Sequence, residues 1–365
     1  MISRRLLGLT ALALVSSAAF AAPITAGNLV MVRSGDGSAA LGTAATAVFI
    51  DEYTTSGTLV QTFSLSTAGA PTFALTGNST TEGVLSLSQD GSRFVFAGYK
   101  TTLGTASGFN ASNKILGTLT LGGVLDTSTE VTDATASATR SATTDNGSSF
   151  YFATAGAVRY VASAGSATTS TVVDARNSRQ VMLRDNVLYG SNGSTAVTNK
   201  LQSYGVLPTG VTTPTAVATL TTADAINGYS FLDLSAGVTG SDVVYAISTV
   251  ENLIRKYSFD GTNWVANGSV AAGTGAPQNL VAVDNGAAGV DLYITNSTGV
   301  AKLTDTSGYN ATINGTVGAN LFNAGTNTAF RGISMVAAPV PEPGTMVALG
   351  LGAVALIRKR RSKKA

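Results

Sequence analysis

One pattern limits the fold of this chain more than any other feature. Short apolar or alternating runs, cut at Gly, Asn, Asp and Ser, return in the same order every 40 to 57 residues or so. The first clear copy runs Gly83 to Ser88, a turn at Asp90-Gly91, Arg93 to Tyr99, then Lys114 to Leu121. The next has Arg140 to Thr144, a turn at Asn146-Gly147, Ser149 to Ala153 and Ala157 to Ala162. Arg179 to Arg184, Val187 to Gly190 and Lys200 to Gly205 form a third. A fourth has Tyr229 to Leu234, Asp242 to Ser248, Asn252 to Phe259 and Trp264 to Val270, and a fifth Gln278 to Val283, Val290 to Thr295 and Gly299 to Thr304. Runs of this length with a period of two are strands, and no long amphipathic helix interrupts them. Nine Asn-Gly or Asp-Gly pairs punctuate the runs, with Asx at 36, 90, 146, 192, 227, 260, 267, 285 and 314. Such pairs favour the positive-φ turns that reverse a strand tightly.

Three or four strands per copy at this period match one blade of a β-propeller. The expected fold is therefore all-β, a propeller of four-stranded blades. Six blades is the favoured count; seven is the alternative, because the interval from Gly83 to Arg140 is long. A β-helix or a pair of sandwiches comes next. The two ends supply the sixth copy. Phe330 to Val336 reads as an inner strand with no successor, while Asn28 to Arg33, Val48 to Thr54 and Leu59 to Leu65 read as a blade lacking its first strand. Pairing of the C-terminal strand with the N-terminal blade closes the ring and removes the open edges. The body is placed at residues 22–338.

The chemistry open to such a ring is narrow. The chain has no cysteine and no histidine. Thiolate catalysis and Cys-based metal sites are excluded, and the commonest base near neutral pH is missing. The formal charge of +2 misleads, since positions 23 to 338 hold 14 basic and 19 acidic residues, about −5. A basic face for nucleic acid is not supported. Carboxylates are the remaining acid–base groups. Asp51-Glu52 is the most conspicuous pair, but strand neighbours point to opposite faces; Glu82, Glu130 and Glu251 are dispersed. Phe94, Phe96, Phe150, Phe152, Tyr189, Tyr245 and Tyr293 all fall in second strands and are expected to pack between blades. Trp264 is expected on an outer strand, where sugar stacking is the alternative to packing. Asn78, Asn110, Asn192 and Asn296 open Asn-x-Ser/Thr triplets that chance alone explains in so Thr-rich a chain, and the Thr/Ser run 127–144 is a candidate for O-linked sugar.

The ends are of another kind. Arg4 and Arg5, then the apolar stretch Leu6 to Ala18, then small residues at Ala19 and Ala21 read as a secretory signal peptide, residues 1–21, cut before Ala22. At the other end Val340, Pro341, Glu342 and Pro343 precede an apolar run from Gly344 to Ile357, and Arg358, Lys359, Arg360, Arg361, Lys363 and Lys364 follow it. A helix of about 14 residues is only about 21 Å long, against a bilayer core of roughly 30 Å. The segment suits a temporary anchor, with its basic end cytoplasmic.

This three-part tail, residues 339–365, resembles the PEP-CTERM sorting signal. The resemblance implies export in a Gram-negative, exopolysaccharide-making bacterium and processing by an exosortase. The implied partners are signal peptidase and the export machinery, the exosortase, the inner membrane (transiently, through 344–357) and exopolysaccharide. The implied location is the cell surface or the extracellular space. The expected function is a non-enzymatic surface or matrix protein, binding or structural in exopolysaccharide and biofilm, with no cofactor. The alternative is an exported Ca-dependent hydrolase or lactonase using carboxylates in the central channel, as in the gluconolactonase-like propellers. Its oxygen-rich candidate loops are Ser34-Gly35-Asp36-Gly37 and Asp145-Asn146-Gly147.

Overall fold

The computed structural model describes residues 21–66, 72–193, 200–218 and 226–337. They form six antiparallel sheets arranged as a ring, with two 3-10 turns, Phe109–Ala111 and Gly286–Ala288, as the only helical pieces among the described residues. Blade 1 is Ala329–Met335, Leu29–Ser34, Val48–Tyr53 and Leu59–Ser64, from the axis outward. Blade 3 is Thr139–Thr143, Phe150–Thr154, Val158–Val161 and Thr171–Asp174. Blade 4 is Ser178–Arg184, Val187–Asn192, Leu201–Val206 and Thr215–Ala218. Blade 5 is Ile226–Leu232, Val243–Ser248, Leu253–Phe259 and Trp264–Ala271. Blade 6 is Asn279–Asp284, Val290–Thr295, Gly299–Asp305 and Phe322–Asn323.

Blade 2 departs from the plan. Its second strand, Arg93–Thr101, is long, and its inner edge is shared by Ser86–Leu87 and Thr72–Thr76. Lys114–Thr120 and Leu125–Val131 complete the blade, and Ala45–Thr46 joins beyond Thr72–Thr76. The expected inner strand Gly83 to Ser88 is thus mostly irregular. The long interval that suggested a seventh blade is filled by the connection 102–113 and by an outer strand. Outer strands at 125–131, 171–174 and 215–218 were not legible as strands. Leu125–Val131 shows why: its outward positions are polar and exposed, so the apolar alternation is weak.

The ring closes as the sequence implied. Leu29, Val30 and Met31 pair with Met335, Ser334 and Ile333, and after a bulge Arg33 and Ser34 pair with Phe330 and Ala329. Gly332 is required where this strand meets blade 2, since a Cβ there would lie 2.1 Å from the Leu85 nitrogen. Phe330, fully buried, packs with Leu29, Tyr293 and Val300, joining blade 1 to blade 6. Other second-strand aromatics pack between blades in the same way: Phe150 and Phe152 with Val95 and Leu116, and Tyr189 with Phe231. Trp264 lies on an outer strand and contacts the rings of Phe231 and Phe259 at 5.8 and 5.5 Å.

Three blades share a polar device inside this packing. Tyr99, Tyr245 and Tyr293 in second strands stand directly opposite Lys114, Lys256 and Lys302 in third strands. Each ammonium lies over its tyrosine ring, at 5.0, 5.7 and 5.5 Å. Buried Lys256 also meets Asp305 at 3.0 Å, and the Tyr245 hydroxyl donates to the same carboxylate at 2.7 Å. Lys114 instead donates to the carbonyls of Asn110 and Ser112 at 2.7 and 2.6 Å. No carboxylate pairs with it there, and burial holds its pKa down at about 8.

Phe330→Ala is expected to cost about 3–5 kcal/mol, while Val211→Ala at an exposed loop site should stay within about 0.5 kcal/mol; urea midpoints measure both. A lysine with a folded pKa below its unfolded one is held less protonated in the native state, so stability rises as pH climbs from about 8 toward the usual 10.5. The gain should be on the order of 1–3 kcal/mol, until tyrosines of the unfolded chain ionise near 10. Lys114→Met should flatten that rise in urea titrations at stepped pH.

Candidate functional site

The inner strands run in one direction along the axis. In blades 1, 2, 4, 5 and 6 the residues at one mouth of the channel precede those at the other. The later residues form a wide funnel of about 390 Å³, lined by Ser86, Ser88, Met182, Ser230, Leu232 and Ser334 among others. Two charged residues, Asp90 and Arg184, stand among its lining residues. Asp90 is held below the usual carboxylate range by hydrogen bonds from Ser88 and Ser92, despite some burial.

Several polar side chains at the axis are already committed. An inner strand has one edge without a partner strand, and its N–H groups must find acceptors. The neighbouring blade supplies them. Ser141 and Thr143 accept from the Val181 and Leu183 N–H groups at 2.9 and 3.1 Å. Gln180 accepts from the Tyr229 N–H at 2.9 Å and donates to its carbonyl at 3.2 Å. Ser230 accepts from Ala282 at 3.1 Å. Thr295 donates to the Arg331 carbonyl at 2.6 Å. These residues form a seam between blades, so a channel rich in Ser, Thr and Gln is first a requirement of the ring.

The earlier residues of the inner strands form the narrow mouth. Glu82, Arg179, Arg331, Asn227, Gln278 and Asn279 line it. Glu82 accepts from the Thr76 N–H at 2.8 Å, the Thr76 hydroxyl at 3.1 Å and the Tyr99 hydroxyl at 3.0 Å. Burial nevertheless pushes its pKa up. Arg331 donates to Gln278 at 3.1 Å and to the Gly77 carbonyl at 2.6 Å, and burial lowers it to about 10. Arg179 is also lowered to about 10, by burial and by the like charge of Arg140. Arg140 stands behind, bonded to Thr81, and burial lowers its pKa too. This cluster was not picked out in the sequence. The signal was an arginine near the start of the inner strand in blades 3, 4 and 1, at positions 140, 179 and 331.

The singled-out carboxylates have other work. Asp51 and Glu52 do face opposite ways. Asp51 pairs with Arg33 at 2.5 Å and accepts from Thr62 at 2.8 Å. Glu52 accepts from Thr25, Asn28 and Gln61 at 2.9, 2.6 and 2.6 Å. Glu130 takes Lys100 and Asn113, both at 2.6 Å. The loop residues Asp36 and Asn146 accept from Ser38 and Ser148 two positions on, at 2.9 and 3.0 Å, as turn formers. Among the described residues no three acidic groups converge as metal ligands would. Asn78 and Asn110 are exposed, whereas Asn192 and Asn296 are buried and unsuited to carry sugar. Ala21 opens the described residues. Ala19 and the tail positions Val340, Pro341, Glu342, Pro343, Arg358, Lys359, Arg360, Arg361, Lys363 and Lys364 lie outside them. Among the described residues no helix is long and apolar enough to cross a membrane.

Residues 339–361 match the family described as the PEP-CTERM protein-sorting motif. The protein is thus exported and carries an exosortase sorting signal directly after its closing strand. No curated protein matches the chain. Among solved structures the ring is similar to a chain of a nidogen/laminin complex, at 11% identity and a TM-score of 0.50, over 86% of this chain and 99% of that one. The Pseudomonas aeruginosa periplasmic gluconolactonase is matched at 11% identity and a TM-score of 0.48, over 85% and 100% of the two chains. A putative 6-phosphogluconolactonase from Bacteroides fragilis is matched at 12% identity and a TM-score of 0.43, over 83% and 98%. These neighbours correct the expectation that the protein is not an enzyme, because proteins named as lactonases share the ring. At such identities the likeness extends to the fold and names no substrate for this chain.

The seam has a direct test. Gln180→Leu leaves both backbone groups of Tyr229 without that partner and is expected to cost about 1–3 kcal/mol. The urea midpoint should fall without change in the β-rich circular dichroism spectrum.

Proposed function

We propose that the protein is an exported ring set at the cell surface or in the extracellular matrix, where its wide mouth binds exopolysaccharide. The observation that carries the delivery half is the sorting motif at 339–361, four residues after the last residue of the closing strand, Met335. In this reading residues 1–21 are removed before Ala22, with Ala19 and Ala21 at the cleavage-determining positions. Residues 22–338 form the mature body. Val340 to Pro343 are the exosortase's recognition segment. Gly344 to Ile357 holds the chain briefly in the inner membrane, and the basic end from Arg358 to Lys364 stops transfer on the cytoplasmic side. The segment is short for a permanent span, which suits an anchor that is cut.

The binding half is supported by the funnel's shape and chemistry. Its opening of about 390 Å³ falls in the range of small-ligand sites. Its wall alternates hydroxyl and amide groups with Met182, Leu232 and Met335. A sugar ring presents the same mixture, with polar edges and an apolar face. The low charge of the wall suits a neutral glycan unit over a phosphorylated one.

Deleting 341–365 is expected to remove the protein from the surface and matrix fractions of its host; an unaltered distribution sinks the delivery half. Separately, mature protein should retain the host's own polysaccharide in a pull-down, and Met182→Glu at the funnel wall should abolish that retention. Equal retention by this variant would move binding away from the funnel.

A further inference from the structure

The narrow mouth holds more positive charge than its own carboxylate can balance. Arg140, Arg179 and Arg331 come from three different blades, and Glu82 is the acidic group beside them. Arg331 and Glu82 are 4% and 5% exposed. Glu82 spends its oxygens on Thr76 and Tyr99 and forms no ion pair with any of the three. The Nε atoms of Arg140 and Arg179 are buried and have no hydrogen-bond partner. Gln278, which could otherwise take a ligand, is turned to Arg331. Asn279, 1% exposed, lines the same space, and its Oδ1 also lacks a partner. A buried cation without a counter-charge is costly, and several together repel one another.

We propose that this mouth is a binding site for the carboxylate of a sugar acid, held between Arg179 and Arg331 with Arg140 supplying charge from behind. The open space between the lining residues is about 10 Å³, room for one water-sized group. Only the tip of a ligand enters, so the rest of the molecule lies across the mouth. A planar carboxylate matches the guanidinium fork in charge and geometry. Asn279 Oδ1 accepts from a hydroxyl beside the carboxylate, the group that distinguishes a sugar acid from acetate. The site is at the other end of the axis from the funnel and stands without the tail or the funnel reading.

Calorimetric titration of the mature protein with glucuronate, acetate, glucose and sodium chloride at low ionic strength tests it. Glucuronate is expected to bind saturably, acetate more weakly, glucose not at all. Arg179→Gln should weaken glucuronate at least about tenfold, the loss of one charge-assisted pair. Arg159→Gln, on an outer strand pair with Asp133, should change it less than about twofold. Arg179 makes no structural hydrogen bond through its Nε, so this variant is the one least expected to disturb the ring. Arg179→Lys keeps the charge without the fork and should fall between the two. A short uronate oligosaccharide in place of the monomer tells a chain unit from a free acid, and binding of either supports the site. Glucose binding as well as glucuronate, chloride binding with equal affinity, or an unchanged Arg179→Gln would overturn it.

Discussion

The pairing of Ala329–Met335 with Leu29–Ser34 is the contact on which the rest of the molecule depends. A ring of blades has no independent unit large enough to bury its faces, so each blade needs two neighbours. Without this pairing, blade 1 lacks its inner strand and blade 6 lacks one of its walls. Phe330 and Ile333 then lose the core they share with Leu29, Met31, Tyr293 and Val300. The same pairing sets where the chain leaves the body. The sorting segment begins four residues after the closing strand, so the delivery signal follows the finished ring directly in the sequence.

Closing a ring raises a second demand, at its centre. The inner strands converge there, and apart from Thr72–Thr76 of blade 2, which Ala45–Thr46 meets, their axial edges have no partner strand. The structure meets this demand with short side chains reaching across the blade boundary, as Ser141, Thr143, Gln180 and Ser230 do. This use of polar residues explains why a polar channel alone does not argue for a ligand. The narrow mouth is different in kind. Arg331 bonds across the blade boundary, but the buried Nε atoms of Arg140 and Arg179 find no hydrogen-bond partner, and three arginines face the one carboxylate of Glu82. The two mouths are therefore chemically unlike, one wide with little charge and one narrow and cationic.

The inner and second strands were legible because they are buried on both faces and keep runs such as RFVFAGY and DVVYAIS. Outer strands such as Thr171–Asp174 were not, since their free face is polar and their length short. The turns divided likewise. Gly91, Gly147, Gly261 and Gly286 take positive φ after their Asx residues, in connections of four to six residues between antiparallel strands. Asn227-Gly228 instead lies within an inner strand, and the tight turn of blade 4 is made by Asp185 and Asn186, both at positive φ without a glycine. The composite inner edge of blade 2 had no sequence signal, because Thr72–Thr76 lies outside the repeat register. The candidate site was the least legible part. Arg140, Arg179 and Arg331 are spread over nearly two hundred positions, and each alone reads as an ordinary strand residue.

The sequence by itself determined the repeated strand unit, a count of six or seven with six favoured, the closure by the two ends and the sorting tail. Each of these is carried by local pattern: alternation, turn chemistry, and the order of motif, apolar run and charge. Only the tertiary structure decided which polar groups are used up and which are left over. That depends on which blade edge faces which side chain and on how much water the axis excludes. Burial and neighbour charge are properties of the closed ring, and no window of the chain contains them.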